Sequence, residues 1–169
     1  MICKNLKELE KELYKRINTA LDEDVSDVVK DVMTDHIIQD VYDVCNPVAY
    51  ERRYNQAGIN IDNGYDDSDN TGLLDVDNII ATIDGEGNLF VQNITLGSRY
   101  YYDKNKKRIS QNAGKPIANI IETGEGYDIW DANGTSRPFM RNTHDDLKEN
   151  HYHTQAMKQG LKKQGLEVK

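Results

Sequence analysis

The sequence has few of the residues that fill a large core or cross-link a small domain. Among 169 residues it holds 2 Phe, 1 Trp and 2 Cys, and hydrophobic residues make up 37% of the chain. Two cysteines without CxxC or Cys/His spacing argue against a disulfide framework and against a zinc site. We therefore expect a small interior that needs no metal or cofactor, in a protein of a reducing compartment.

Long hydrophobic runs and catalytic signatures are also missing. Residues Met1–Lys7 lack the apolar stretch of a signal peptide, and no run approaches the length of a membrane span. No G-x-S-x-G, H-E-x-x-H, phosphate-binding loop or dinucleotide-binding glycine pattern occurs. The sequence thus predicts a cytosolic protein with no membrane partner and no enzymatic activity.

Positive charge is absent from one long segment. The net charge is -8, no Lys or Arg occurs from Tyr54 to Ser98, and the sign reverses from Arg99 to Lys115. Patches of opposite sign favour contact between neighbouring copies of the chain, with two solvated loops as the alternative. The acidic balance argues against sequence-specific nucleic-acid binding, which needs a dominant basic face.

Tyrosine is the aromatic residue that the chain has in quantity, with 10 copies. Its large apolar ring and polar tip suit surfaces that are wet in a free subunit and buried in an assembly. The stretch around Pro47 combines such tyrosines with two arginines, although a packed helix end with solvated arginines is the alternative. The candidate interface residues are Tyr42, Tyr50, Arg52, Arg53, Tyr100, Tyr101 and Tyr102.

Two amphipathic patterns occupy residues 5–45. Apolar residues recur at three- and four-residue steps from Leu6 to Leu21, as on one face of a helix. The acidic cluster Asp22–Asp24 favours the start of a second, valine-rich helix, which Pro47 ends. The pattern predicts a helical hairpin or one long bent helix, whose apolar side needs a sheet or a neighbouring chain to cover it.

The period changes to that of strands in residues 73–140. The runs Ile79–Ile83 and Leu89–Thr95 flank the turn Asp84–Asn88 and predict a β-hairpin. Arg99–Tyr102 predicts a third strand or a continuation of the second. Residues 116–122 are short and apolar, and they leave helix and strand open.

A last helix is predicted over residues 143–165, with Gly165 as its C-terminal stop. The whole chain is then one domain of the α+β class. It would comprise an N-terminal helical hairpin or long helix, a small antiparallel β-sheet and a C-terminal helix.

Residues 55–72 predict an exposed acidic loop, which raises the question of calcium. Asp67, Asp69 and Thr71 place oxygen atoms at every second residue, and Asp75 follows where a further ligand would come. Asn78 stands where such a loop needs a bidentate Glu. An acidic surface loop without metal is therefore the favoured interpretation.

Three histidines near the C-terminus raise the alternative of a metal-dependent hydrolase. On one helix, His144 and His151 would share a face because they are seven residues apart, whereas His153 would point elsewhere. A hydrolytic metal needs three convergent ligands. We therefore interpret the three as exposed helix residues, and the isolated His36 as a packed one.

Several short motifs, in this order, resemble known phage proteins. Val41–Asp43, Pro47, Tyr50–Arg53 and Gly72–Asp75 resemble small proteins from the head–tail module of phages and prophages of Gram-positive bacteria. Downstream, Ile120–Gly124 and Ser136–Met140 resemble the hydrophobic-Glu-x-Gly … Arg-Pro-Phe-hydrophobic signature of the HK97-type tail-component family. The motif positions are Pro47, Glu122, Gly124, Arg137, Pro138 and Phe139.

The resemblance implies a structural virion protein without catalytic residues, namely a tail-completion or neck subunit. It would form a ring with itself at the head–tail junction and contact tail or connector proteins, first in the host cytoplasm and then in the virion. Pro138 would fix the entry to the last helix and Phe139 would pack under it. The alternative is a small phage-encoded protein that inhibits a host factor through an acidic surface mimicking nucleic acid.

Overall fold

The structure is a computed structural model that describes residues 5–44, 72–96, 101–102, 108–109, 116–125 and 135–168. Its elements confirm the predicted α+β class. In chain order they are α1 (Leu6–Ala20), a π-helical segment (Leu21–Val25), α2 (Ser26–His36), a second π-helical segment (Ile37–Tyr42), a 3-10 turn (Val76–Asn78), β1 (Ile79–Ile83), β2 (Leu89–Asn93), β3 (Tyr101–Tyr102), β4 (Arg108–Ile109), α3 (Ile117–Thr123), α4 (Phe139–Asn150) and α5 (Tyr152–Lys163).

The N-terminal residues form a long helix and not a hairpin. α1 begins after the N-cap Asn5, whose side chain accepts the backbone N–H of Glu8 at 2.9 Å. Between α1 and α2 the hydrogen-bond ladder continues, because Ser26 donates to the carbonyl of Leu21, five residues back. Of the two predicted arrangements, the long helix is therefore the one found.

The acidic cluster Asp22–Asp24 lies inside this helix, so the helix start predicted there is wrong. The N–H of Leu21 already donates to the carbonyls of Asn18 and Ile17. No new set of unpaired N–H groups arises at this point for the carboxylates to cap. Asp24 pairs instead with the distant Lys163, and this hydrogen bond raises the pKa of the lysine above its ordinary value.

The described residues group into two compact units. The first lies within Met1–Val32, Ala81–Val91 and His144–Lys169, and the second within Met33–Ile80 and Gln92–Thr143. The organisation as one domain stays a prediction. Buried apolar residues of the first unit include Ala20, Val25 and Ala156, and those of the second include Met33, Ile37, Val41, Leu73, Leu74, Ile79, Ala118, Ile121 and Phe139.

In the first unit, α5 lies against the N-terminal helix at Gly160. A Cβ atom at this position would be 2.5 Å from Asp24 Oδ2 and 2.8 Å from Ala20 Cβ, closer than side-chain atoms can pack. Glycine is therefore the residue that allows the two helices to approach this far. Beyond this point, Arg16 Nη1 donates to the carbonyl of Gln164 and satisfies an acceptor at the end of α5.

The predicted hairpin is present, with β1 and β2 paired. At its tip, Asp84 Oδ1 accepts the backbone N–H groups of Glu86 at 2.9 Å and of Asn88 at 2.8 Å. Asp84 Oδ2 accepts the side-chain amide of Asn88 at 2.9 Å. These hydrogen bonds, that from the Asn88 side chain first, lower the pKa of Asp84 below its ordinary value.

In the second unit, a buried polar network fixes the chain before the hairpin to the end of β2. Asn93 Nδ2 donates to the carbonyl of Leu73 at 2.8 Å. Thr95 donates to Asn93 Oδ1 through its backbone N–H at 3.0 Å and through its hydroxyl at 2.6 Å. Because every one of these buried groups has a partner, the network stabilises the position of Leu73 and Leu74 in the core.

The remaining short elements resolve two open predictions. The third strand exists as β3, which pairs antiparallel with β4 through Tyr101↔Ile109 and Tyr102↔Arg108. Residues Ile117–Thr123 form a helix, so of the two structures left open for residues 116–122 the helix is the one found. The segment predicted as β-rich, 73–140, therefore also contains α3 and the start of α4.

The single C-terminal helix predicted over 143–165 is two helices. α4 begins earlier, at Phe139, and α5 ends at Lys163. Between them His151 adopts a φ of 56°, a left-handed conformation that breaks the α-helical geometry. Gly165 follows the last turn, and its N–H donates to the carbonyl of Lys162 at 2.9 Å.

The close approach at Gly160 gives a first prediction. Gly160→Ala puts a methyl group where Asp24 and Ala20 already lie, so we expect the free energy of unfolding in urea to fall by about 1–3 kcal/mol. The matched control is Gly85→Ala, since nothing lies within 4 Å of a Cβ there. Equal stability of the two variants would contradict the packing described.

The hairpin tip gives a second prediction. Because the pKa of Asp84 is lowered in the folded chain, its contribution to stability is present above about pH 3.8 and disappears as the pH falls through the folded-state pKa. The difference in Tm between the wild type and Asp84→Asn should therefore be largest near neutral pH and shrink in acid. Glu86→Gln, which keeps the three bonds to Asp84, should show no such trend.

Candidate assembly surfaces

The apolar face of α1 continues past the end of α5. Ala20 is buried, but Leu6, Leu9 and Leu13, about two to four turns earlier, are 80%, 52% and 43% exposed. These leucines, the leucine row, lie at three- and four-residue steps and so share one face. Arg16 marks the limit of coverage, since it binds the carbonyl that follows α5. Within the described ranges, no element covers the leucine row.

An open groove lies between α1 and the tip of the hairpin in the first unit. Its volume is about 600 Å³, and its lining includes Lys11, Tyr14, Lys15, Asp22, Glu23 and Ile83. The basic residues are at one end of the groove and the acidic residues at the other. Of these residues, Asp22 and Glu23 were predicted to start a second helix, and no groove was predicted, although the order of the charges along one helix is visible in the sequence.

Glu122 caps the N-terminus of α4 from another helix. Its Oε2 accepts the N–H of Met140 at 2.8 Å, and its Oε1 accepts the N–H of Arg141 at 3.1 Å. Pro138, the residue before α4, has no side-chain acceptor for these groups. The carboxylate therefore satisfies two N–H groups that α4 cannot pair itself, at the end where the helix dipole favours negative charge.

The other motif residues complete this junction between α3 and α4. Gly124 ends α3 with a φ of 73°, which a residue with a side chain rarely adopts. The N–H of Arg137 donates to the carbonyl of Ile121 at 2.9 Å, so the chain entering α4 runs along the end of α3. Phe139 is 0% exposed. The Glu-x-Gly and Arg-Pro-Phe motifs are thus brought together in space.

The tyrosine–arginine candidates are not brought together by what the structure describes. Tyr42 is half-buried at the end of the second π-helical segment, and the backbone of Tyr101 and Tyr102 forms β3. Pro47, Tyr50, Arg52, Arg53 and Tyr100 lie outside the described residues. Their role in an interface stays a prediction.

Of the four candidate calcium ligands, the structure describes Asp75. Asp75 Oδ1 accepts the N–H of Asp77 at 2.9 Å and so caps the 3-10 turn. Asp67, Asp69 and Thr71 lie outside the described residues. In the described part of the chain, no three His, Cys, Asp or Glu side chains are grouped as a metal site would require.

The C-terminal histidines do not share one helix. His144 lies on α4 and contacts Asp145 at 3.1 Å, while His151 forms the break before α5. The common face predicted for the two is therefore wrong, because it assumed a continuous helix. His151 lies near His153 instead, with 6.5 Å between their ring centroids.

His36, which the sequence shows as an isolated histidine, has a partner one turn along the helix. Its Nδ1 lies 2.9 Å from Asp40 Oδ2, and Asn142 Nδ2 donates to the same oxygen at 2.9 Å.

Among the described residues, no helix combines the length and the apolar character that crossing a bilayer requires.

Comparison with known proteins places the chain in a family. A family model named YomN matches residues 5–163, from the N-cap of α1 to the last residue of α5. The chain belongs to the YomN family. A relative, the SPbeta prophage-derived uncharacterized protein YomN of Bacillus subtilis (strain 168), is 30% identical over 148 residues, which cover 83% of this chain and 81% of the relative. No solved structure gives a significant match.

Membership of the YomN family indicates a prophage origin, as the name of the relative records for that protein. The match spans the leucine row, the groove and the α3–α4 junction. The finer resemblance, to HK97-type tail components, stays a prediction.

The cap on α4 gives a third prediction. Glu122→Ala leaves two N–H groups without their acceptor, so we expect the free energy of unfolding to fall by about 1–3 kcal/mol, and by less in Glu122→Gln, which keeps an oxygen. Urea unfolding followed by circular dichroism measures both. Glu125→Ala, an exposed residue of the same segment, is the control. No loss in Glu122→Ala would show that the contact is not stabilising.

Proposed function

We propose that this YomN-family protein is a structural component of a tailed-phage virion, a tail-completion or neck subunit at the head–tail junction. It acts by assembling with copies of itself and by binding tail or connector proteins, in the host cytoplasm during assembly and then in the virion. The proposal includes no enzymatic activity and no cofactor. The observation that carries it is the leucine row, Leu6, Leu9 and Leu13.

The leucine row is an apolar surface of the kind that protein partners cover. Single exposed leucines are common, but these three are aligned and continue a face that is buried at Ala20. Covering a leucine side chain fully contributes about 1.5–3 kcal/mol. A groove on a neighbouring virion protein that accepts this helix face would gain, at each position, the share of that energy that corresponds to the exposed fraction of the leucine.

Two further observations support a virion role. The family and the prophage-derived relative agree with a phage origin. The motifs that resemble those of tail components meet in one junction, where Glu122 caps α4 and Phe139 is buried, so they act together in the fold. The acidic segment needed for the host-inhibitor alternative lies mostly outside the described residues.

The test is incorporation into particles, which gives a fourth prediction. A prophage deleted for this gene is complemented with the wild type or with Leu6→Gln/Leu9→Gln/Leu13→Gln, which keeps helix propensity and removes the apolar surface. We expect the variant to fold, because the three residues are exposed, and to be at least tenfold depleted from purified virions, with loss of infectious particles.

Lys7→Gln/Glu10→Gln, two exposed residues of the same helix outside the leucine row, is the control and should be incorporated normally. Normal incorporation of the triple variant would contradict the role of the leucine row. Absence of the wild-type chain from purified virions would overturn the proposed function itself.

A further inference from the structure

The groove between α1 and the hairpin tip has charges of opposite sign at its two ends. Lys11 and Lys15, one helical turn apart, form the basic end, and Asp22 and Glu23 form the acidic end. All four are exposed. At about 1.5 Å per residue, the two ends are separated by roughly 15 Å along the helix.

Apolar and amide groups lie between and beside these ends. Tyr14 is 59% exposed, and the half-buried Ile83 of β1 faces the same groove. The exposed Asn18 lies midway between the basic and the acidic residues and also lines the groove. An open groove with charged ends and with Tyr14 and Ile83 in its lining fits a protein surface better than a small enclosed ligand.

We propose that the groove is the contact between two copies of this chain, with their α1 helices antiparallel about a twofold axis. In this arrangement Lys11 and Lys15 of one copy face Asp22 and Glu23 of the second copy, and the reverse pairs form at the other end. A parallel arrangement would put like charges opposite each other.

The twofold axis passes near Asn18. A side-chain amide has both donors and an acceptor, so Asn18 of each copy can pair with Asn18 of the other. The antiparallel order also opposes the two helix dipoles, which is the favourable arrangement. The contact uses a different face of α1 from the leucine row, which stays available for a virion partner.

The inference rests on the self-assembly in the proposed function and names the surface that carries it. The ion pairs are exposed, so each contributes little and is screened by salt. We therefore expect an association that is readily reversible and that weakens as salt is raised.

The experiment measures self-association of the full chain by sedimentation equilibrium. Lys11→Glu/Lys15→Glu makes the groove entirely acidic, and Asp22→Lys/Glu23→Lys makes it entirely basic. Each variant alone should associate at least tenfold more weakly than the wild type, because like charges then face each other. An equimolar mixture of the two variants should restore association, since every facing pair is again of opposite sign.

Lys148→Glu/Lys158→Glu carries the same charge change as the acidic-groove variant at exposed positions outside the groove, and it should associate as the wild type does. The leucine-row variant should also keep its self-association. A salt series on the wild-type chain needs no variant, and its association constant should fall steadily as salt rises.

The inference is overturned if the wild type is monomeric at every concentration, if its association does not respond to salt, or if the mixture associates no better than the separate variants. These outcomes are independent of the virion assay. A chain that pairs through the groove but is missing from particles contradicts the proposed function and supports the contact. A chain that is found in particles but is monomeric in solution supports the virion role and contradicts the contact through the groove.

Discussion

The close approach of α5 to the N-terminal helix at Gly160 determines how much of that helix the described C-terminal residues cover. A glycine there brings α5 within reach of Ala20 and Asp24, and Asp24 pairs with Lys163 from the same side. The crossing point and the length of α5 together place its C-terminal end at Arg16. Because the cover by α5 stops at Arg16, the leucines before it are exposed in the part of the chain that the structure describes.

The two parts of this helix therefore differ in burial. Its C-terminal part belongs to the core of the first unit, where Ala20 and Val25 are buried. Its N-terminal part carries apolar residues on one face and a charged groove on another. A chain with 37% hydrophobic residues, 2 Phe and 1 Trp has little to bury internally, so surface that other subunits cover fits its composition.

The features that the sequence predicted are those set by neighbouring residues. The hairpin follows from two runs rich in strand-forming residues on either side of the turn Asp84–Asn88, and the amphipathic helices follow from the spacing of leucine and valine. The features that it missed depend on residues far apart in the chain. Glu122 caps α4 by accepting the N–H of Met140, which is 18 residues away in the chain. Asp24 forms an ion pair with Lys163, which is 139 residues away. The helix break at His151 could not be predicted from the sequence, because no glycine or proline lies there.

Hydrogen–deuterium exchange on the α1 backbone, measured in the free subunit and in purified particles, tests most directly whether other subunits cover this helix. The helix from Leu6 to Leu13 should exchange rapidly in the free subunit and become protected in the particle, because the proposed assembly covers the leucines. Residues from Ala20 to Val25 should be protected in both states, since they are already buried against α5. Equal exchange of the Leu6–Leu13 segment in the two states would contradict the claim that other subunits complete this helix.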